Sequence, residues 1–191
     1  MAGHLSMRER QNNPHPEVPA QQASKGAPRA RIWGPLTALG LALAALSFGL
    51  DQTVKYWLLR LVDFAGAPDA ITITSFFDLR MAWNHGVSYG LLTTDNQALL
   101  VAISLLICAL LWLWLARTHR ALTAAALGLI IGGALSNALD RALRGAVADF
   151  FYFHWDGLRF ALLNFIFNPA DVAIVAGVAL LLYESLKERE A

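Results

Sequence analysis

The chain has 191 residues, of which 57% are apolar and only 15% charged, whereas soluble domains run about 45–50% apolar and about 25% charged. That composition excludes a disordered chain and a soluble enzyme with an ordinary surface. A net charge of +1 gives no drive toward nucleic acid, and a single cysteine excludes a disulfide framework and a cysteine-rich zinc site.

Residues 1–31 differ from the rest. They hold Pro14, Pro16, Pro19 and Pro28, a run of Gln and Asn, and the cations Arg8, Arg10, Lys25, Arg29 and Arg31. Such a segment buries too little apolar surface to offset its ordering entropy, so it is predicted to be a disordered tail. Residues 32–50 then carry no charge. As a helix rising ~1.5 Å per residue they reach ~28 Å, the thickness of one hydrocarbon core. Asp51, Gln52 and Lys55 close this first span. Residues 71–74, Ile-Thr-Ile-Thr, alternate with period two and are β-branched, which predicts a strand. Residues 98–116 and 121–139 are two further uncharged runs, with Cys108 in mid-span as a small apolar side chain. The fourth span is interrupted by Asn164, Asn168 and Asp171. A helix from Pro169 to near Lys187 still crosses. Asn168-Pro169-Ala170-Asp171 reads as its start: Asn as N-cap, Pro first, an acid in the first turn.

Four spans put both termini on one side. The tail, the short turn with Arg117 and Arg120, and Lys187 and Arg189 carry nine cations. The other side carries six: Lys55, Arg60, Arg80, Arg141, Arg144 and Arg159. The positive-inside rule then predicts cytoplasmic termini, with Trp33, Trp112 and Trp114 near the inner boundary and Trp57 and Trp155 near the outer one. The long connections, about 61–96 and 141–168, fall on the outer face, where function is expected. The expected organisation is a cytoplasmic tail over 1–31, a four-span membrane domain over 32–187, and a cytoplasmic end over 188–191. The fold class is a mainly α membrane protein with a small β-containing extracytoplasmic platform.

Polar groups within membrane spans are expensive and are functional candidates by default. Here they gather at the outer ends: Asp51, Gln52 and Lys55, Asn137, Asp140 and Arg141, Asn168 and Asp171, with Asp149 in an apolar setting between them. Asp51 and Lys55, at i and i+4, also fit a plain interfacial ion pair. Asp171 also fits a capping acid. Gly133, Asn137 and Asp140 share a helix face, and Gly132 and Gly133 let another backbone approach. The sequence shows no His-Glu-x-x-His, P-loop, Gly-x-Gly-x-x-Gly or Gly-x-Ser-x-Gly pattern. His85, His154 and Ser88 lie in the outer segments without a partner pattern. Paired carboxylates in a partly dry site remain, and these can divide into a protonated and an ionised member that activate water. A transporter or a structural membrane subunit is the alternative. Against the first, the polar residues sit at one face and no inverted repeat is visible.

Five blocks in order resemble the lipoprotein signal peptidases, also called type II signal peptidases. They are Asp51-Gln52-Thr53-Val54-Lys55, Asn84-His85-Gly86-Val87-Ser88-Tyr89-Gly90, Gly132-Gly133-Ala134-Leu135-Ser136-Asn137-Ala138-Leu139-Asp140-Arg141, Gly145-Ala146-Val147-Ala148-Asp149-Phe150, and Phe167-Asn168-Pro169-Ala170-Asp171. The chain departs from the pattern at Val87-Ser88, Ser136 and Pro169, and in a longer stretch between Asp149 and Asp171. The resemblance implies an aspartic endopeptidase of the bacterial inner membrane, without metal or other cofactor. It removes the signal peptide from diacylglyceryl-modified prolipoproteins, cutting before the lipid-bearing cysteine, and is blocked by globomycin-type cyclic peptides. Membrane lipid is its other partner. By matching positions, the resemblance implies Asp149 and Asp171 as the catalytic pair. Asn84, Gly86, Gly133, Asn137, Arg141 and Asn168 correspond to residues around the substrate or the pair, and Asp51, Lys55 and Asp140 to supports of the site.

Overall fold

The structure is a computed structural model and describes residues 32–62, 70–86, 96–154 and 165–189. The expected tail, Ser88, Trp155, Arg159 and the last two residues lie outside the described residues. Four helices are long and apolar enough to cross a membrane: α1 (Thr37–Leu61), α2 (Gln97–Leu115), α3 (Ala121–Arg144) and α4 (Pro169–Arg189). Four strands accompany them: β1 (Ile71–Thr74), β2 (Phe77–Asn84), β3 (Val147–Phe153) and β4 (Phe165–Phe167).

The helix ends follow local chemistry. Asn96 caps α2 by accepting from the Leu99 N–H at 3.1 Å. Gly145 ends α3 at φ 74°, the left-handed conformation that glycine adopts without a Cβ clash, and its N–H reaches the Arg141 carbonyl at 3.0 Å. The fourth helix starts at Pro169 as its motif predicts. The first differs from expectation. It does not end near Asp51 but runs on to Leu61. The physical reason is that Asp51 and Lys55 are fully buried against neighbouring helices, so their charges do not mark where the helix leaves the membrane. At ~1.5 Å per residue α1 is ~37 Å long, several ångströms more than a ~30 Å hydrocarbon core. In the same way α3 continues past Leu139 to Arg144.

The buried helix is α3, against which α1, α2 and α4 all pack. Small residues make this close approach feasible. A Cβ on Gly133 would sit 2.6 Å from the Ala170 carbonyl oxygen, and Gly132 faces the Ala44 carbonyl and Ser47 in the same manner. The outer faces of the helices carry exposed Leu46, Leu50, Leu106, Leu110, Val175 and Leu182, as expected of surfaces solvated by lipid. At one end Trp33 packs edge-on against Trp112, whose indole N–H donates to the Ile32 carbonyl at 3.1 Å.

The strands form one antiparallel sheet in the order β1-β2-β3-β4. The predicted strand at 71–74 is β1, an edge. The register pairs Asn84 with Val147 and Ala82 with Asp149, beyond an irregularity between Leu79 and Ala82. Side chains two apart share a face, so Asn84 and Asp149 point the same way. Fully buried Phe150, on the opposite face, clusters with Ala148 and Leu58 of α1 and ties the sheet to the helices.

Candidate active site

Three asparagines determine how the acids are held, and each is oriented by its surroundings. An amide offers one acceptor oxygen and one donor nitrogen. The Asn84 oxygen accepts from the Gly86 N–H at 3.0 Å, which turns its NH2 toward Asp149 Oδ2 at 3.2 Å. The Asn137 oxygen accepts from Lys55 at 3.0 Å and from Asn168 at 3.3 Å, so its NH2 faces Asp171 Oδ1 at 3.0 Å. The Asn168 oxygen accepts from the Asp171 N–H at 3.0 Å, leaving its NH2 for Asp149 Oδ1 at 2.6 Å. Asp171 Oδ2 in turn accepts from the Asn168 N–H at 3.2 Å. Asn168 therefore sits between the two carboxyls and bonds to both. Asp171 is a capping acid as well as part of this group, so its two expected roles coexist.

Beneath the pair lies a buried ionic cluster. The Lys55 ammonium is 2.7 Å from Asp51 Oδ2 and 2.7 Å from Asp140 Oδ2, and all three side chains are fully buried. Arg144 also pairs with Asp140 Oδ1, which leaves two anions and two cations. The two carboxylates also hold backbone amides. Asp51 Oδ1 accepts from the Ala170 N–H at 3.0 Å, filling an otherwise open donor at the start of α4. Asp140 Oδ2 accepts from the Ala148 N–H at 3.4 Å. Each buried carboxylate thus holds the backbone amide of the residue just before Asp171 or Asp149.

Arg141 points away from this cluster, donating to the Gly86 carbonyl at 2.7 Å and the Asn137 carbonyl at 3.3 Å. It joins the segment after β2 to α3. Asn84, Asn137, Arg141 and Asp171 form the polar part of the lining of a cavity of about 340 Å³, whose remaining wall includes Leu100, Ile103, Ile107 and Ile174 from α2 and α4. The cavity lining therefore combines donors and a carboxyl with a largely apolar wall from membrane helices. Such a lining suits a ligand that is part peptide and part lipid-soluble.

Burial pushes the Asp149 carboxyl from an ordinary 3.8 up to about 7, and the Asp171 charge pushes the same way. The hydrogen bonds from Asn168 and Asn84 and the Lys55 charge oppose this. Between the unfolded value and about 7 the folded chain keeps a proton that the unfolded chain has released. This group's contribution to stability therefore declines as pH rises through that window. A carboxyl poised near neutrality beside a second acid is a functional-site signature.

The structure brings together every residue singled out from the motifs: Asn84, Gly86, Asp149, Asp171, Asn137, Arg141, Asn168, Asp51, Lys55, Asp140 and Gly133. His154 does not join them; its Nε2 lies 3.1 Å from Asp78 on the sheet. Two participants stand outside the expected site residues, although Gln52 belongs to the polar group expected at the end of the first span. Ser136 donates to Asp51 at 2.6 Å and accepts from Gln52 at 2.8 Å, and Gln52 also donates to Asp140 at 3.1 Å. The available signal was the i, i+4 spacing of Ser136 and Asp140 on the polar stripe of α3.

Comparison with known proteins supplies the family. The profile of a family described as signal peptidase (SPase) II matches residues 43–187, which includes all five motifs. A lipoprotein signal peptidase of Nitrobacter hamburgensis is 46% identical over 76% of this chain and 90% of its own length. One from Rhodopseudomonas palustris is 44% identical over 78% and 92%, and one from Methylocella silvestris 48% identical over 78% and 85%. Two solved structures of bacterial membrane enzymes share the fold. One has a TM-score of 0.68 at 24% identity over 80% of this chain and 90% of its own, the other 0.65 at 25% over 78% and 94%. A profile spanning the four membrane helices and both acids, together with relatives matched over most of their length, puts the chain in the signal peptidase II family, as a membrane peptidase that processes lipoproteins.

Proposed function

We propose that the chain is an aspartic endopeptidase that cleaves diacylglyceryl-modified bacterial prolipoproteins immediately before the lipid-bearing cysteine, using Asp149 and Asp171. The observation that carries this reading is the pair itself. Both acids are hydrogen-bonded to Asn168, and Asp149 is raised to about 7. In the working state the pair holds one proton. Asp171, in the first turn of α4 where the helix dipole favours an anion, takes a proton from water. The resulting hydroxide attacks the scissile carbonyl carbon while protonated Asp149 donates to the carbonyl oxygen. Collapse of the gem-diol intermediate breaks the C–N bond: Asp171 returns its proton to the leaving nitrogen while Asp149 takes back a proton from a diol hydroxyl, so the pair again holds one. Asn137 and Arg141 lie beside the acids and are positioned to hold the substrate backbone. The apolar part of the cavity suits the signal peptide's hydrophobic segment, and cyclic peptides of the globomycin class belong in the same cavity.

Substrate selectivity tests this reading directly. Purified protein should cut the diacylglyceryl-modified precursor efficiently and the unmodified precursor hardly at all, because the lipid anchors the scissile bond at the membrane surface. Equal rates on the two would contradict it.

The same reading places both termini in the cytoplasm of a bacterial inner membrane and the acids at its outer face, on the nine-to-six division of cations. With buried Cys108 as the only native thiol, single cysteines report topology. In intact spheroplasts an impermeant maleimide should label Ser75→Cys on the sheet and leave His119→Cys in the α2–α3 turn unlabelled; the opposite pattern reverses the orientation.

The rate profile should report the Asp149 proton. We expect kcat/KM to fall on the basic side near pH 7. The Asn84 hydrogen bond favours charged Asp149, so Asn84→Ala should raise the Asp149 pKa and move the basic limb to higher pH. A limb that stays put, or moves down, means that another group sets it.

A further inference from the structure

We propose that Gln52 and Ser136 are positioning residues whose hydrogen-bonded bridge between Asp51 and Asp140 sets the separation of the Asp149 and Asp171 carboxyls. The proposal rests on the reading of those two acids as the catalytic pair.

The geometry consists of two clamps and two links. Asp51 holds the Ala170 N–H at 3.0 Å, next to Asp171 in α4, and Asp140 holds the Ala148 N–H at 3.4 Å, next to Asp149 in β3. Fixing Asp51 relative to Asp140 therefore restrains one acid relative to the other from below, in addition to Asn168, which bonds to both carboxyls. The first link is Lys55, which touches both carboxylates. An ammonium is a compact charge with freely rotating donors, so it neutralises the two acids without selecting one geometry. The second link is directional. The two protons of Gln52 Nε2 have their shorter contacts with Ser136 Oγ at 2.8 Å and Asp140 Oδ1 at 3.1 Å, and the Ser136 carbonyl is a longer third acceptor at 3.4 Å. Ser136 has a single hydroxyl proton, and it goes to Asp51 Oδ2 at 2.6 Å.

Gln52-to-Ser136-to-Asp51 on one side and Gln52-to-Asp140 on the other thus form a complete path between the clamps, with no donor left over. Ser136 is fully buried, which keeps its hydroxyl from exchanging this bond for one to water. Neither residue lines the cavity, so the link acts on the spacing of the acids and leaves the substrate's contacts alone. Without the hydroxyl, Asp51 still has Lys55 and Ala170, and the helices remain neutralised and packed. What is lost is the directional restraint.

The test compares wild type with Ser136→Ala, Gln52→Met and the double variant. It measures kcat and KM separately on the lipid-modified precursor, the pH–rate profile, and the folded fraction by thermal unfolding. Each single change should lower kcat per folded enzyme about tenfold, because small misplacements of catalytic groups are costly. KM should stay within about twofold. The double variant should be no slower than the worse single one, since both break one path. The acidic and basic limbs should also move closer together, because acids held further apart couple less strongly. The charged groups around the pair are Asp51 and Lys55 from α1 and Asp140, Arg141 and Arg144 from α3, and none of these variants alters them.

Wild-type kcat and limb spacing in a folded Ser136→Ala overturn the proposal. So do additive losses in the double variant, or a lower folded yield with unchanged kcat and profile. Infrared titration of the carboxyls in wild type and Ser136→Ala reads the spacing without turnover, and an unchanged titration is equally decisive against it. Failure of the catalytic reading is distinguished by wild type and Asp149→Asn in the same assay: absent wild-type cleavage, or active Asp149→Asn, contradicts that reading alone.

Discussion

Asp149→Asn and Asp171→Asn should each lower cleavage of the lipid-modified precursor by about 10⁴-fold or more while leaving a folded protein. General acid–base catalysis by one group contributes about 10²–10⁴, and groups that act as a unit lose nearly everything when either is removed. The variants should fold because an amide keeps the shape and removes a buried charge. Asp149 is 3% exposed, and its carboxyl accepts bonds from Asn168 and Asn84; the oxygen of an asparagine retains one of these. Cleavage per folded enzyme, with folding followed by thermal unfolding in detergent, is the measurement. Activity within tenfold of wild type in either variant would remove that acid from the mechanism.

Lys55→Met should have the largest effect on stability. Lys55 is fully buried with its ammonium 2.7 Å from each of two carboxylates and 3.0 Å from the Asn137 oxygen. A methionine fills similar space but leaves Asp51 and Asp140 with Arg144 as the one cation paired to them among the described residues. Removing one partner of a buried ion cluster costs about 3–5 kcal/mol, which for a chain of this size is a fall in Tm of roughly 10 °C. Adding Asp51→Asn should recover part of the loss, because it removes one uncompensated charge. An unchanged Tm in Lys55→Met, or no recovery in the pair, would mean that packing and not charge holds this cluster.

Much of this arrangement is legible from residue order, and the exceptions have definite causes. The spans announce themselves because a lipid-facing helix cannot carry charge. The same logic ended α1 too early, since Asp51 and Lys55 face protein and not lipid, and a charge count does not distinguish the two. Strand β1 was readable because Ile71 and Ile73 alternate with threonines. Strand β3, Val-Ala-Asp-Phe-Phe-Tyr-Phe, is buried on both faces near its start, with Asp149 among apolar residues, so no apolar–polar period of two appears. The acids stood out as carboxylates in apolar company. The roles of Gln52 and Ser136 did not, because a neutral polar side chain gains its meaning from what it meets. That depends on how α1 and α3 are aligned, which the periodicity of neither helix specifies. The motif resemblance names the acids and the three asparagines together; which amide faces which carboxyl depends on donors and acceptors that the fold brings in from other elements.

Asp140 is the natural rival to Asp149, because it is also a buried acid of the same cluster. It bonds to Lys55, Arg144 and the Ala148 amide, and on that ground we propose it as a support and not as the catalytic partner. The decisive measurement is single-turnover cleavage of the lipid-modified precursor, per folded enzyme, by Asp149→Asn and Asp140→Asn side by side. The account predicts no detectable cleavage by folded Asp149→Asn, and reduced yield but measurable cleavage by the Asp140→Asn enzyme that does fold. Substantial cleavage by Asp149→Asn with none by well-folded Asp140→Asn would contradict it and make Asp140 the partner of Asp171.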